Sequence, residues 1–155
     1  MYRKMIIASF LLSCFSASTL AMSTNHMACV KTNKQTIAAL FDRWNTSLKT
    51  RNPLKVDKNY TDNAILLATL SSKPRVTSIE RIEYFKTFLS QHPIGKIDSR
   101  TIKIGCNKAI DSGLYTFTLK GKKKLHARYT FTYLWNGNKW LISSHHSSEL
   151  PKNKK

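Results

Sequence analysis

Apolar residues recur at helical spacing in two stretches of the N-terminal half of the chain. The first stripe consists of Ile37, Leu40, Phe41, Trp44 and Leu48. The second consists of Ile79, Ile82, Phe85 and Leu89. Thr32 with Gln35, and Thr77 with Glu80, have the spacing of a capping box, and Pro93 marks a stop. The pattern predicts two amphipathic helices, each with one face turned towards a core.

Two shorter elements lie between these helices. Asn52 followed by Pro53 is typical of a helix cap and first helical position, which predicts a short helix. The apolar run "NAILLATL" at residues 63–70 has the length of a buried strand.

Beyond Pro93 the pattern changes from helical spacing to alternation, which predicts strands at 96–107, 112–120, 125–135 and 139–147. Turn residues separate these runs: Asp111 with Gly113, then Gly121, then Asn136-Gly137. Short connections favour an antiparallel meander. The predicted fold class is α+β, an antiparallel sheet with one face packed on N-terminal helices, in one domain.

The last hairpin decides which face each side chain takes. A two-residue turn at Asn136-Gly137 would place His145 opposite Arg128, so that these two side chains share a mixed face with Thr130. An aromatic face, comprising Tyr129, Phe131, Tyr133, Trp135, Trp140 and Ile142, would then pack on the helices. A slip of one residue would reverse every assignment on the last strand.

Residues 1–21 have the layout of a secretory signal peptide, with Arg3 and Lys4 before a short apolar run and a cleavage site after Ala21. The run is too short to span a bilayer. Lipidation of Cys14 is the alternative. We therefore expect a periplasmic or secreted protein whose charge falls by two on cleavage, from +18 to +16. Residues 152–155 form a basic tail.

Cleavage after Ala21 would leave Cys29 and Cys106 as an even pair. In an oxidising compartment such a pair tends to form a disulfide, which here would close a long loop; two separately buried thiols are the alternative. The high positive charge favours anionic partners, although scattered lysines are also typical of a solvated surface. An exported protein is not expected to bind nucleic acid.

Several segments, among them "IEYFKTFL", "GCNKAIDSGLYTFTL" and "NKWLISSHHSS", resemble a bacterial secreted branch of the calcium/calmodulin-dependent protein kinase II association-domain family. The resemblance implies the nuclear-transport-factor-2-like fold, a curved, cone-shaped antiparallel sheet on N-terminal helices that this family shares with SnoaL-like cyclases and ketosteroid isomerases. The resemblance covers about residues 29–151. It implies a homo-oligomer, either a dimer or a larger ring. The chain has no kinase signature and no basic amphipathic helix, so we expect neither kinase activity nor calmodulin binding.

A fold of this kind leaves a hollow between sheet and helices where a small ligand can bind. The candidate lining residues are Arg75, Arg100, Arg128, Tyr60 and His145. Arginine suits a carboxylate or phosphate because its donors form a planar fork. Alternatively, each arginine is exposed or pairs with Asp98, Asp111 or Glu83.

Catalytic chemistry has weaker support. Asp62 or His146 could be a base in a SnoaL-like isomerase, cyclase or hydratase, but Asp62 is equally suited to a turn. Neighbouring histidines on a strand point to opposite faces, and no metal-ligand spacing is present, so neither a metal nor a cofactor is expected. The sequence favours a non-catalytic self-associating domain with a cavity for a small anion, over an enzyme or a basic cell-envelope adaptor.

Overall fold

The computed structural model describes residues 28–69 and 71–151. The predicted leader with its Cys14, and the basic tail at 152–155, lie outside this part. The helices are α1 (Lys34–Lys49), α2 (Pro53–Asp57) and α3 (Ser78–Leu89). The strands are β1 (Tyr60–Leu67), β2 (Ile94–Gly105), β3 (Lys108–Thr118), β4 (Lys124–Trp135) and β5 (Trp140–Glu149). No helix in the described ranges is long and apolar enough to cross a membrane.

The helix ends follow local chemistry. Asn52 caps α2 and Pro53 is its first residue, while Thr77 and Glu80 form the reciprocal capping box of α3, as predicted. The predicted box of α1 is wrong. Asn33 is the cap there, because its side-chain oxygen accepts a hydrogen bond from the backbone N–H of Thr36 at 2.8 Å.

The five strands form one sheet in the order β1-β5-β4-β3-β2. The meander from β2 to β5 is antiparallel, as predicted, but β1 pairs with β5 in parallel, so the sheet is mixed. Helices α1 and α3 contact one face of the sheet, here called the inner face, and α2 packs against both helices. The core there is largely aromatic, and it includes Trp44, Phe41, Phe85, Tyr115, Phe131 and Tyr133.

The turn between β2 and β3 lies at Cys106–Asn107, and the predicted turn at Asp111 and Gly113 is wrong. Asn107 takes the left-handed conformation (φ 56°) that a tight turn needs and asparagine tolerates. Gly113 is required inside β3 for a different reason. A Cβ there would lie 2.0 Å from the carbonyl oxygen of Ser99, where β2 carries a bulge.

The β4–β5 hairpin also differs from the predicted register. Its loop spans residues 136–139, with Trp135 opposite Trp140, and a bulge then shifts the pairing by one residue so that His145 lies opposite Phe131. The bulge turns His145 to the aromatic inner face. Arg128, which the prediction placed beside His145, lies opposite Ser148 and is exposed.

On the buried face of α3, an arginine takes the place that the sequence pattern assigned to Ile79. Ile79 is 75% exposed, whereas Arg81 is buried (1% exposed). Arg81 bonds the carboxylate of Asp57 at 2.7 Å and the carbonyl of Ala64 at 2.7 Å, so its donors are satisfied by α2 and β1. These contacts hold α3 against the edge of the sheet.

The predicted disulfide is present between Cys29 and Cys106, across 77 residues. Beside it, the side chain of Asn107 accepts from the backbone N–H of Val30 at 2.8 Å and donates to the carbonyl of Ala28 at 3.1 Å. The segment before α1 is therefore fixed to the β2–β3 turn.

Candidate functional site

A cavity of about 680 Å³ opens between α3 and the inner face of the sheet. Its size is within the range of about 300–1,000 Å³ typical of small-molecule sites. Most of its wall is apolar, and α3 supplies one side while β1, β3 and β5 supply the other. The apolar lining includes Leu66, Phe85, Phe88, Phe117, Leu119 and Leu125.

Charged residues line the cavity on the side of the β1–α3 connection. Lys73 is paired with Glu80 at 3.0 Å. The hydrogen bond from the backbone N–H of Val76, together with the hydrogen bond and positive charge of Lys73, lowers the pKa of Glu80 to about 2. Arg75 has no carboxylate within salt-bridge distance among residues 28–69 and 71–151, and its guanidinium carbon lies 5.8 Å from the ring centroid of Tyr84. Nη1 of Arg75 donates to the backbone carbonyl of Lys73. Arg75 is thus a cavity-lining cation whose charge is not neutralised by a carboxylate of the described residues.

Three hydroxyl groups meet on the wall opposite α3. Tyr115 donates to the hydroxyl of Ser147 at 2.5 Å, and Thr69 is hydrogen-bonded to the same oxygen. Burial raises the pKa of the Tyr115 phenol, so this group stays protonated. The three hydroxyls satisfy one another.

His145 also borders the cavity, at the end of a buried chain of hydrogen bonds from Trp44 through Tyr60. The indole N–H of Trp44 donates to the hydroxyl oxygen of Tyr60 at 3.0 Å, and that hydroxyl lies 3.0 Å from Nδ1 of His145. Burial lowers the pKa of His145 to about 3, so the imidazole is neutral. The ring stacks on Phe131 at a centroid distance of 4.1 Å.

These hydrogen bonds favour the histidine tautomer that carries its proton on Nε2. If Tyr60 donates to Nδ1, only the Nε2–H of His145 is left unpaired among Trp44, Tyr60 and His145. If the Tyr60 oxygen instead accepts from both Trp44 and His145, the Tyr60 hydroxyl hydrogen has no acceptor as well. The first arrangement loses fewer hydrogen bonds and is favoured. Nε2 has no partner in the described part of the chain and is shielded from water, so it lies behind the cavity surface.

The structure brings only some of the predicted site residues together. Arg75 and His145 line the cavity, and Tyr60 supports His145 from behind. Arg100 does not line it. Its Nε donates to Asp111 at 3.1 Å, the pairing considered as the alternative from sequence.

The remaining predicted residues lie away from the cavity. Arg128 is exposed on β4, Asp62 on β1 and His146 on β5, and none of the three is in the lining. Asp62 uses its backbone carbonyl to accept from Arg81 at 3.3 Å. No group of three or more potential metal ligands occurs in residues 28–69 and 71–151.

Sequence reasoning missed Tyr115, Ser147 and Thr69 as lining residues. Tyr115 is recognisable in principle, because it alternates in phase with Phe117 on β3. Ser147 required knowledge of the bulge in β5, which turns it inward together with His145.

A helical layer on one face of a curved sheet, with a cavity between them, defines a nuclear-transport-factor-2-like protein. A protein-family model for the calcium/calmodulin dependent protein kinase II association domain matches residues 33–151, and the chain belongs to that family. A search of curated proteins returns no match.

Solved structures agree with this assignment. A calcium/calmodulin dependent protein kinase II association domain from Xanthomonas campestris is 42% identical, covering 79% of this chain and 91% of that one, with a TM-score of 0.75. Two others share the fold alone. An NTF2-like protein from Pseudomonas putida is 14% identical (76% and 87% covered, TM-score 0.66). A ketosteroid isomerase-like protein from Erwinia carotovora is 16% identical (76% and 96% covered, TM-score 0.58).

Proposed function

We propose that this protein is an exported, non-catalytic domain that self-associates through its sheet and binds a small anionic ligand in its cavity. The observation that carries the ligand proposal is Arg75, a cation without a carboxylate partner in the described chain, on the wall of a largely apolar cavity. Desolvated surroundings strengthen the attraction between an arginine fork and a carboxylate.

Self-association is supported by the outer face of the sheet. Cross-strand pairing places Ile110, Thr132, Ser144 and Ile65 in one row across four strands. Exposed apolar side chains on this face are Ile65, Leu67, Ile110 and Leu114. No helix in the described part of the chain covers it. An apolar sheet face of this kind is suited to a second copy of the same chain, and the family name points to association.

A catalytic role has less support. Proton abstraction needs a base whose pKa lies near the operating pH. The carboxylates lining the cavity are Glu80, whose pKa is lowered to about 2, and Glu83, which is exposed and paired with Lys86 at 2.6 Å. His145 is neutral with a pKa of about 3, which makes it a poor base. These residues favour binding over acid–base chemistry.

Light scattering with size-exclusion chromatography tests self-association. We expect the purified protein without its leader to be a dimer or larger at micromolar concentration, and Ile65→Glu/Ile110→Glu to be a folded monomer. Ile79→Glu is the matched control, because Ile79 is 75% exposed but lies on α3, away from the outer face. A monomeric wild-type protein would refute the association proposal.

A further inference from the structure

Polar groups at the two ends of the cavity differ in whether they can still bind a charged ligand. At the inner wall, the hydroxyls of Tyr115, Ser147 and Thr69 bond one another, and Nε2 of His145 is shielded. A charged ligand head placed there would break existing hydrogen bonds without finding a counter-ion. Arg75, by contrast, has no carboxylate partner in the described residues; its Nη1 donates to the carbonyl of Lys73, and an anion can pair with the rest of its guanidinium fork. A bound anion therefore directs its charge to Arg75 and its remaining atoms into the cavity.

The interior fits an apolar ligand body. Phe85 and Tyr84 of α3 and Leu66 of the sheet line the hollow, and Phe88 packs edge-to-face on Phe117 at a centroid distance of 5.4 Å, so these two rings form one apolar end of it. Burial raises the pKa of Tyr84 to about 12, so this phenol carries no charge at neutral pH. At about 30 Å³ for each water-sized group, 680 Å³ holds up to about 20 such groups. The space exceeds the needs of a two- or three-carbon anion.

The rim adds a second set of cations. The β3–β4 connection carries Lys120, Lys122, Lys123 and Lys124, all exposed, and none has a carboxylate within salt-bridge distance in the described residues. The connection adjoins the cavity because Leu119 and Leu125, at its two ends, line the wall. Lys120 also contacts the turn that follows α3, since its N–H donates to the carbonyl of Gln91 at 2.7 Å. Such a cluster attracts anions towards the opening.

We infer that the cavity takes an amphipathic carboxylate, with an unbranched aliphatic body of about eight to twelve carbons between α3 and the sheet and its head at Arg75. This inference rests on the proposed function, because it specifies the ligand class of the same cavity. The exposed Ile79, which lines the cavity near the start of α3, extends the apolar surface past the opening.

Isothermal titration calorimetry with acetate, hexanoate, octanoate and decanoate, below their micellar concentrations, tests chain length. We expect no measurable binding of acetate, and a Kd that falls about fourfold for each added methylene as the chain becomes buried. Decanol, which has the same chain without the charge, is the head-group control and should bind at least about tenfold more weakly than decanoate.

Variants separate the head-group contact from the apolar contact. Arg75→Gln should weaken decanoate about tenfold or more and leave decanol unchanged. Arg128→Gln, the same change on the outer face, should leave both unchanged. Far-ultraviolet circular dichroism and unfolding curves confirm that each variant is folded.

The possible outcomes distinguish the two proposals. Acetate or succinate binding as tightly as decanoate, with loss in Arg75→Gln, would overturn the amphipathic inference and leave the small-anion proposal standing. Equal binding of decanol and decanoate, insensitive to Arg75→Gln, would overturn both. If none of the carboxylates from acetate to decanoate binds, the amphipathic inference is overturned. If succinate and inorganic phosphate, titrated in the same way, also do not bind, the anion site is overturned as well.

Discussion

Acidification should destabilise this protein through His145 in particular. The side chain is 4% exposed, and burial, with a smaller contribution from His146, lowers its pKa to about 3 in the folded state. An unfolded histidine titrates near pH ~6.5. Between these two values the unfolded chain binds the proton and the folded chain does not, so stability falls as the pH decreases through 6.5 towards 3.

The magnitude at pH 5 depends mainly on the unfolded state. With an unfolded pKa of about 6.5, proton linkage removes about 2 kcal/mol of unfolding free energy between pH 7 and pH 5. At pH 5 the native imidazole is still neutral, so the folded state contributes almost nothing to this figure. The loss continues at lower pH until the folded pKa is reached.

Urea unfolding followed by tryptophan fluorescence, at pH 7, 6 and 5 and a fixed protein concentration, measures the effect. We compare the wild type with His145→Gln, which cannot titrate, and His146→Gln, which removes the exposed neighbour. Wild type and His146→Gln should lose about 2 kcal/mol more than His145→Gln between pH 7 and pH 5. Equal losses in His145→Gln and wild type would refute the assignment of a neutral, buried imidazole.

Three further changes test the scaffold by equilibrium unfolding at pH 7. Replacing Cys29 and Cys106 by serine should cost about 4 kcal/mol, because the bond closes a 77-residue loop; an unchanged midpoint would contradict this. Arg81→Met should cost about 3–5 kcal/mol, since it leaves a carboxylate and strand carbonyls unpaired, and a loss below 1 kcal/mol would be too small for that role. Gly113→Ala should cost about 3 kcal/mol or more because its Cβ would meet β2 backbone, whereas Gly105→Ala, with 3.9 Å of clearance, should cost under about 1 kcal/mol; equal costs would refute the close contact.

Local signals predicted several parts of the fold that local contacts determine, although the predicted box of α1 and the turn at Asp111 and Gly113 were wrong. The capping box of Thr77 and Glu80 requires only residues within one helical turn, and the structure confirms it. Alternation over four or more residues likewise identified the meander and its inner aromatic face. The association-domain family was recognisable from the same segments, and the family match confirms it.

Features set by distant contacts could not be predicted in this way. The parallel pairing of β1 with β5 joins residues about 80 positions apart, such as Tyr60 and Ile142. Arg81 interrupts the apolar stripe of α3 because Asp57 and the carbonyls of β1 provide its partners, and nothing within α3 indicates them.

The candidate site depended most strongly on one bulge. Placing His145 beside Arg128 followed from a regular hairpin, whereas one extra residue in β5 turns His145 and Ser147 to the inner face. The position of Arg75, by contrast, does not depend on the register of the β4–β5 hairpin. This residue is fixed instead by its backbone pairing with Leu66, at 2.9 and 3.0 Å.

A crystal structure of the protein grown with decanoate tests the central claim most directly. The account predicts a carboxylate within salt-bridge distance of the Arg75 guanidinium and an alkyl chain between α3 and the inner face of the sheet, in contact with Phe88 and Phe117. Density for decanoate on the outer face of the sheet, with an empty cavity between α3 and the strands, would contradict it.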